Sequence, residues 1–200
     1  MVNIAVFCSG KGSNFQAIID ASRKGLFNAK IALMVCDSPN AYAITKAKNE
    51  GIKTFLLDMN DFPSQEAFEA RIIEELIAEH IELICLAGYM RLLLPSFINK
   101  YREKIINIHP ALLPSFKSIR GIKDALDYGV KVTGVTVHFV NEDMDAGPII
   151  LQEAVAVEEN DTKETLAEKI HKIEHRLYPN ALKLFIEGRL KVTGRTVKIF

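Results

Sequence analysis

The 200-residue chain has no tryptophan and three cysteines, Cys8, Cys36 and Cys85. An odd count at wide spacing excludes a disulfide framework, and the spacing is not that of a metal site. Each cysteine ends or interrupts an apolar stretch, so three reduced core thiols are expected. Neither sign of charge is in excess, with 25 Lys plus Arg against 25 Asp plus Glu. That balance argues against a nucleic-acid partner, whose many phosphates need a basic surface, but leaves room for a local pocket that takes one small phosphate. No hydrophobic run reaches the ~20 residues that cross a bilayer. Met1-Val2-Asn3-Ile4 enters an apolar run directly, without a basic leader or a small-residue cleavage signal. A cytoplasmic protein with no membrane partner is the expectation. There is also no Gly-x-Ser-x-Gly elbow, no Walker loop and no His-Glu-x-x-His pair.

What is present reads as an α/β protein. Two hundred residues can bury a proper core, and one domain spanning residues 1–200 is expected. Strand patterns at 3–8, 30–36, 53–57, 83–87 and 105–108 are separated by turn clusters and helical periodicities. Helices are expected over 14–24, over 41–50 with Gly51 as the stop, and after the cap residue Ser64. The Ser64 helix carries Phe68, Ile72, Ile73, Leu76 and Ile77 on one face. This alternation implies βαβ units: a mostly parallel twisted sheet, Rossmann-like, flanked by helices. The last third is β-rich. Residues 132–140 and 148–157 extend the sheet or form an antiparallel arm. A long helix over 162–187 is expected to kink or break register near Pro179, and 190–200 to form a hairpin around Thr193-Gly194-Arg195.

Two stretches carry chemistry. Ser9-Gly10-Lys11-Gly12-Ser13-Asn14 joins the first strand to the first helix. Its glycines let backbone approach a ligand, and amides at a helix start favour an anion, which suggests a phosphate monoester. A tight turn with a good cap is the alternative. Phe15 stands where a dinucleotide fingerprint needs its third glycine. The second stretch, Ile105-Ile106-Asn107-Ile108-His109-Pro110, reads as a strand ending on two polar side chains. Asn107 and His109 are two apart and so point to the same side, at the strand end where open α/β sheets place ligands. The amide can donate to an oxyanion and the imidazole can exchange a proton near neutrality. A carboxylate beside the ring favours its charged form. Asp143 and Asp145, in the turn before Gly147-Pro148, are both candidates, and spacing barely separates them. The competing explanation is that Asn107 and His109 serve loop backbone groups and the aspartates are simply solvated.

Other histidines carry less. His138 alternates with Val137 and Phe139 and reads as a hydrogen-bonded structural histidine. His80 ends a helix, where a cation suits the dipole. His171 and His175 lie one helical turn apart with Glu174 between them, but without a zinc-protease pattern.

Taken together, residues 9–17, Leu86-Ala87-Gly88-Tyr89-Met90-Arg91, Asn107-Ile108-His109-Pro110-Ala111-Leu112-Leu113-Pro114, and Val137-His138-Phe139-Val140 with Asp145-Ala146-Gly147-Pro148 resemble the phosphoribosylglycinamide formyltransferase family. The resemblance runs in order from residue 1 to about 190. It implies transfer of the formyl group of 10-formyltetrahydrofolate, as co-substrate, to the amine of N1-(5-phosphoribosyl)glycinamide in purine synthesis. By the same resemblance Gly12, Ser13 and Asn14 hold the ribonucleotide and Glu174 its ribose hydroxyls. Met90, Arg91, Leu92 and Leu93 line the folate pocket, and Asn141, Glu142, Asp143, Met144 and Asp145 close over its ring. Asn107, His109 and Asp145 are the implied catalytic trio, which selects Asp145 over Asp143 by analogy. No metal is expected, and a homodimer is left open.

Gln65 stands where relatives often carry Arg or Lys for the folate glutamate tail. In the loop 115–121, many relatives have Gly in place of Ser118 and a His or Asp near Arg120. Methionyl-tRNA formyltransferase carries a further carboxy-terminal domain, and formyltetrahydrofolate hydrolases usually an amino-terminal one; neither is expected here. A non-enzymatic binding module is the rival of another class.

Overall fold

A computed structural model describes residues 1–200. Nine strands form one sheet in the order β3-β2-β1-β4-β5-β6-β7-β9-β8. The parallel part is β1 (Val2–Cys8), β2 (Ala29–Cys36), β3 (Lys53–Leu56), β4 (Leu83–Leu86) and β5 (Ile105–His109). Between these strands run α1 (Ser13–Arg23), α2 (Tyr42–Asn49), α3 (Gln65–Ala78) and α4 (Pro95–Lys100). Then α5 (Gly121–Tyr128) leads to β6 (Val132–Phe139) and β7 (Ile149–Ala156), and α6 (Lys163–Ile186) to the hairpin β8 (Leu190–Thr193) and β9 (Thr196–Ile199). β6 pairs antiparallel with both β5 and β7, so the two long β-rich stretches extend the sheet and do so as an antiparallel arm.

The period of two in β1 sorts its side chains into two cores. Ile4, Val6 and Cys8 join a core with Phe15 and Ile18 of α1 and Leu166, Ile170 and Tyr178 of α6. Ala5 and Phe7 join the opposite core with Phe68, Ile72 and Leu76 of α3 and Phe97 of α4. Both faces of the parallel sheet are thus covered, which is why its strands read as continuous apolar runs. Cys8, Cys36 and Cys85 are free and buried within it, and burial pushes the Cys8 and Cys85 thiols up, away from reactivity.

Two expectations need correcting. α6 runs without a break through Pro179. The proline forfeits one bond to the carbonyl of His175, an exposed residue, while buried Leu177, Tyr178, Ala181 and Leu182 hold the helix to the sheet. The Tyr178 hydroxyl reaches the carbonyls of Leu86 (3.0 Å) and Ile106 (2.8 Å), fastening that turn to β4 and β5. On α3, Ile77 faces solvent, because the apolar face follows the four-residue step Phe68, Ile72, Leu76. The short helices α4 and α5 had no apolar periodicity long enough to announce them. The cap on α3 is as expected: the Ser64 hydroxyl accepts from the Ala67 amide at 3.3 Å.

Candidate active site

β1 is flanked by β2 on one side and β4 on the other, so the winding of the chain reverses between β1 and β4. Loops leaving the strand ends diverge at such a point and leave a crevice. Here Ser9 ties the two loops together: its amide donates to the Gly88 carbonyl and its hydroxyl accepts from the Met90 amide, each at 3.0 Å. A cavity of about 530 Å³ opens at this place. Its walls contain Gly12, Ser13 and Asn14, Met90 to Leu93, Asn107, His109, Asn141 to Asp145 and Glu174.

The glycine turn forms one wall. Gly12 caps α1 with φ 67°, and a Cβ there would sit 2.9 Å from that of Ala43. Glycine is therefore required by backbone conformation and by space. The turn is braced by α2, where Lys46 Nζ donates to the Gly12 carbonyl at 2.9 Å. No side chain caps α1, so its first amides are open to a ligand. Behind them the buried Glu174 carboxylate accepts from Asn14 Nδ2 (3.0 Å) and His171 Nδ1 (2.9 Å). The Glu174 bond holds His171 above its usual pKa, against the effect of burial. Asn14 Oδ1 is buried with no partner.

A second wall is polar. Asn107 and His109 leave the same face of β5, as period two requires, and His109 is buried. The turn after β6 brings Asp145 against both. Its Oδ2 lies 3.2 Å from His109 Nδ1, and its Oδ1 accepts from Asn107 Nδ2 at 3.3 Å. Asp145 takes φ 48°, a conformation that aspartate tolerates better than most residues. Gly147 then passes so close to β6 that a Cβ would lie 1.8 Å from the Phe139 carbonyl oxygen. Asp143 is exposed and bonds to neither partner, so geometry separates the two aspartates that spacing could not.

His138, assigned above to a structural role, is part of this group. It is the cross-strand partner of Asn107 in the β5–β6 pairing. Its Nε2 is 3.3 Å from Asn107 Nδ2 and 3.6 Å from Asp145 Oδ1, while Nδ1 is 2.8 Å from the Phe139 carbonyl. Strand register, which local pattern does not give, brings it here. Burial raises the pKa of Asp145, but the bond to His138, the charges on both histidines and the Asn107 amide outweigh it and keep the carboxyl below the usual aspartate range. The His109 ring has acceptors at both nitrogens, Asp145 and the Phe116 carbonyl, the latter 2.9 Å from Nε2.

The third wall is the segment after β4. Leu93 is half-buried, whereas Met90 and Leu92 are exposed along the rim, as is Met144 opposite. Arg91 is held by Asp37 (2.7 Å) and lies over the Phe68 ring. The Gln65 amide is already committed, donating to Glu69 (2.8 Å) and to the Leu92 carbonyl (2.7 Å). In the loop before α5, Ser118 bonds Asp124 and both Ser118 and Ile119 face the cavity. Asn141 Oδ1 is buried without a partner.

An open α/β sheet gathers an amide, an imidazole and a carboxylate at its switch point, beside open helix-start amides, and these are groups able to move a proton and to stabilise an oxyanion. Residues 2–182 match the model of the formyl transferase family. The phosphoribosylglycinamide formyltransferase of Bacillus subtilis is 47% identical over 92% of this chain and 94% of its own length. That of Escherichia coli is 36% identical over 96% of this chain and 90% of its own. Among solved structures, glycinamide ribonucleotide transformylase 1 from Symbiobacterium toebii superposes with a TM-score of 0.98 at 45% identity, covering 100% of this chain and 94% of that one. The chain belongs to the formyl transferase family, among its phosphoribosylglycinamide formyltransferases.

Proposed function

We propose that the cavity binds N1-(5-phosphoribosyl)glycinamide beside 10-formyltetrahydrofolate and moves the formyl group from folate nitrogen to the glycinamide amine. One observation carries this reading: the Asp145 carboxylate touches His109 and Asn107 in the same cavity that holds the open α1 amides. The phosphate fits Gly12, Ser13 and Asn14 at the start of α1, and Glu174 is left to accept from ribose hydroxyls. The folate ring fits the apolar third wall, where the unpartnered Asn141 oxygen suits a ring N–H or amino group. Formyl folate supplies the one-carbon unit.

The residues then divide the work. The substrate amine adds to the formyl carbon, and the carbonyl oxygen gains a negative charge. Asn107 Nδ2–H and a His109 ring N–H donate to that oxygen. As the carbon–folate nitrogen bond breaks, the proton lost by the amine is delivered to the departing nitrogen by His109 or a water beside it. Asp145, in contact with Nδ1, keeps the ring turned inward. His109 Nε2 becomes available when the Phe116 carbonyl is displaced, so the loop 115–120 shifts as ligands enter. Holding two substrates side by side supplies a large share of the rate.

The test mixes protein, formyl donor and ribonucleotide and follows tetrahydrofolate release by absorbance. Release that requires the ribonucleotide is expected. Release without it would make the protein a hydrolase, and no release would make it a binding module.

A further inference from the structure

Glu69 is one of the few carboxylates buried in this fold, only 3% exposed, and no step above uses it. It does not reach the cavity. No Lys, Arg or His lies within ion-pair distance of it, and burial raises its pKa. A buried carboxylate without a counter-cation is costly unless hydrogen bonds replace water. The bonds it makes all lead to one place. Both its oxygens accept from the Leu94 amide, at 3.0 and 3.2 Å, and Oε1 also accepts from Gln65. The same Gln65 amide donates to the Leu92 carbonyl. Leu92 to Leu94 belong to a segment without regular structure, between β4 and α4, whose side chains form the third wall.

The grip comes from one helix. Gln65 and Glu69 are four apart on α3 and so lie on one face. Phe68 beside them lies under Arg91 of the same segment. The Leu92 carbonyl and the Leu94 amide bond to α3, and Leu93 between them both lines the cavity and packs against the core on the α3 side. We propose that Glu69 and Gln65 are positioning residues for the folate co-substrate: acting through the Leu92–Leu94 backbone, they set how the third wall meets the ring, without touching either substrate. This rests on the function proposed above.

The wall they hold faces one substrate only, so the effect should be one-sided. The test is steady-state transfer kinetics, with a formyl donor that lacks the glutamate tail so that no direct tail contact at position 65 enters, on Glu69→Gln, which keeps the shape but replaces one acceptor oxygen with a donor, and on Gln65→Met at a half-buried position. In both variants KM for the formyl donor should rise about tenfold, near the effect of one lost charge-assisted bond. KM for the ribonucleotide should stay within twofold and kcat within threefold. An unchanged donor KM in Gln65→Met, or both KM values rising together, overturns the proposal. If Glu69→Gln does not fold, Gln65→Met decides alone. Wild-type protein that transfers no formyl group would sink the underlying function instead, so the two failures are distinct.

Discussion

Replacing Asp145 with asparagine tests the site most sharply, because the change is nearly isosteric. The carboxylate receives from two sides: His109 Nδ1 is 3.2 Å from Oδ2, and Asn107 Nδ2 is 3.3 Å from Oδ1. An amide has one oxygen and one NH₂, so it can satisfy only one of these donors. The other contact becomes donor against donor. A net charge-assisted hydrogen bond is worth about 1.5–3 kcal/mol, or a factor of roughly 10 to 150 in rate. The second, mismatched contact adds to this, because it turns away either the ring or the amide that faces the oxyanion. We expect Asp145→Asn to lose about 10²–10³ in kcat, with circular dichroism unchanged. The pH dependence of stability supplies a second reading. Asp145 has its carboxyl lowered in the folded protein, so its stabilisation is complete above the ordinary aspartate pKa of about 3.9 and is lost as pH falls below it. Wild type should therefore be the more stable near neutrality, and the difference should close in acid. A variant with near-normal turnover would refute the assigned role.

Asn107→Ala removes the amide and should also cost about 10²–10³ in kcat with the fold intact; single-turnover formyl transfer checks it. Gly147→Ala puts a Cβ on the Phe139 carbonyl; it should lower stability by about 2 kcal/mol or more and raise donor KM as the 141–145 loop is pushed out. Normal melting and kinetics would show that the close approach is not needed. Tyr178→Phe takes a buried hydroxyl from the Leu86 and Ile106 carbonyls. It should cost about 1–2 kcal/mol, a fall in Tm of roughly 2–8 °C by calorimetry.

Much of this protein follows from local pattern. Alternating apolar runs and helical periodicities specify the parallel half, because period two and period 3.6 are properties of the chain itself. Ser9 to Asn14 reads as an anion-ready turn because two glycines precede a helix start. Asn107 and His109 share a face because they are two apart on a strand. The order β3-β2-β1-β4-β5 and the unbroken passage through Pro179 were not legible, and the two readings of the β-rich stretches were left undecided. Each depends on burial against elements distant in the chain. The same limit applies in the site. Asp145 differs from Asp143 only through a turn that Gly147 allows against Phe139. His138 joins the group only through its register with Asn107, and Glu69 matters only because the segment after β4 folds back over α3. Sequence by itself determined which side chains stand at strand ends. Which of them meet was decided by the tertiary structure, since a hydrogen bond acts over about 3 Å and only packing brings residues so far apart in the chain to that distance.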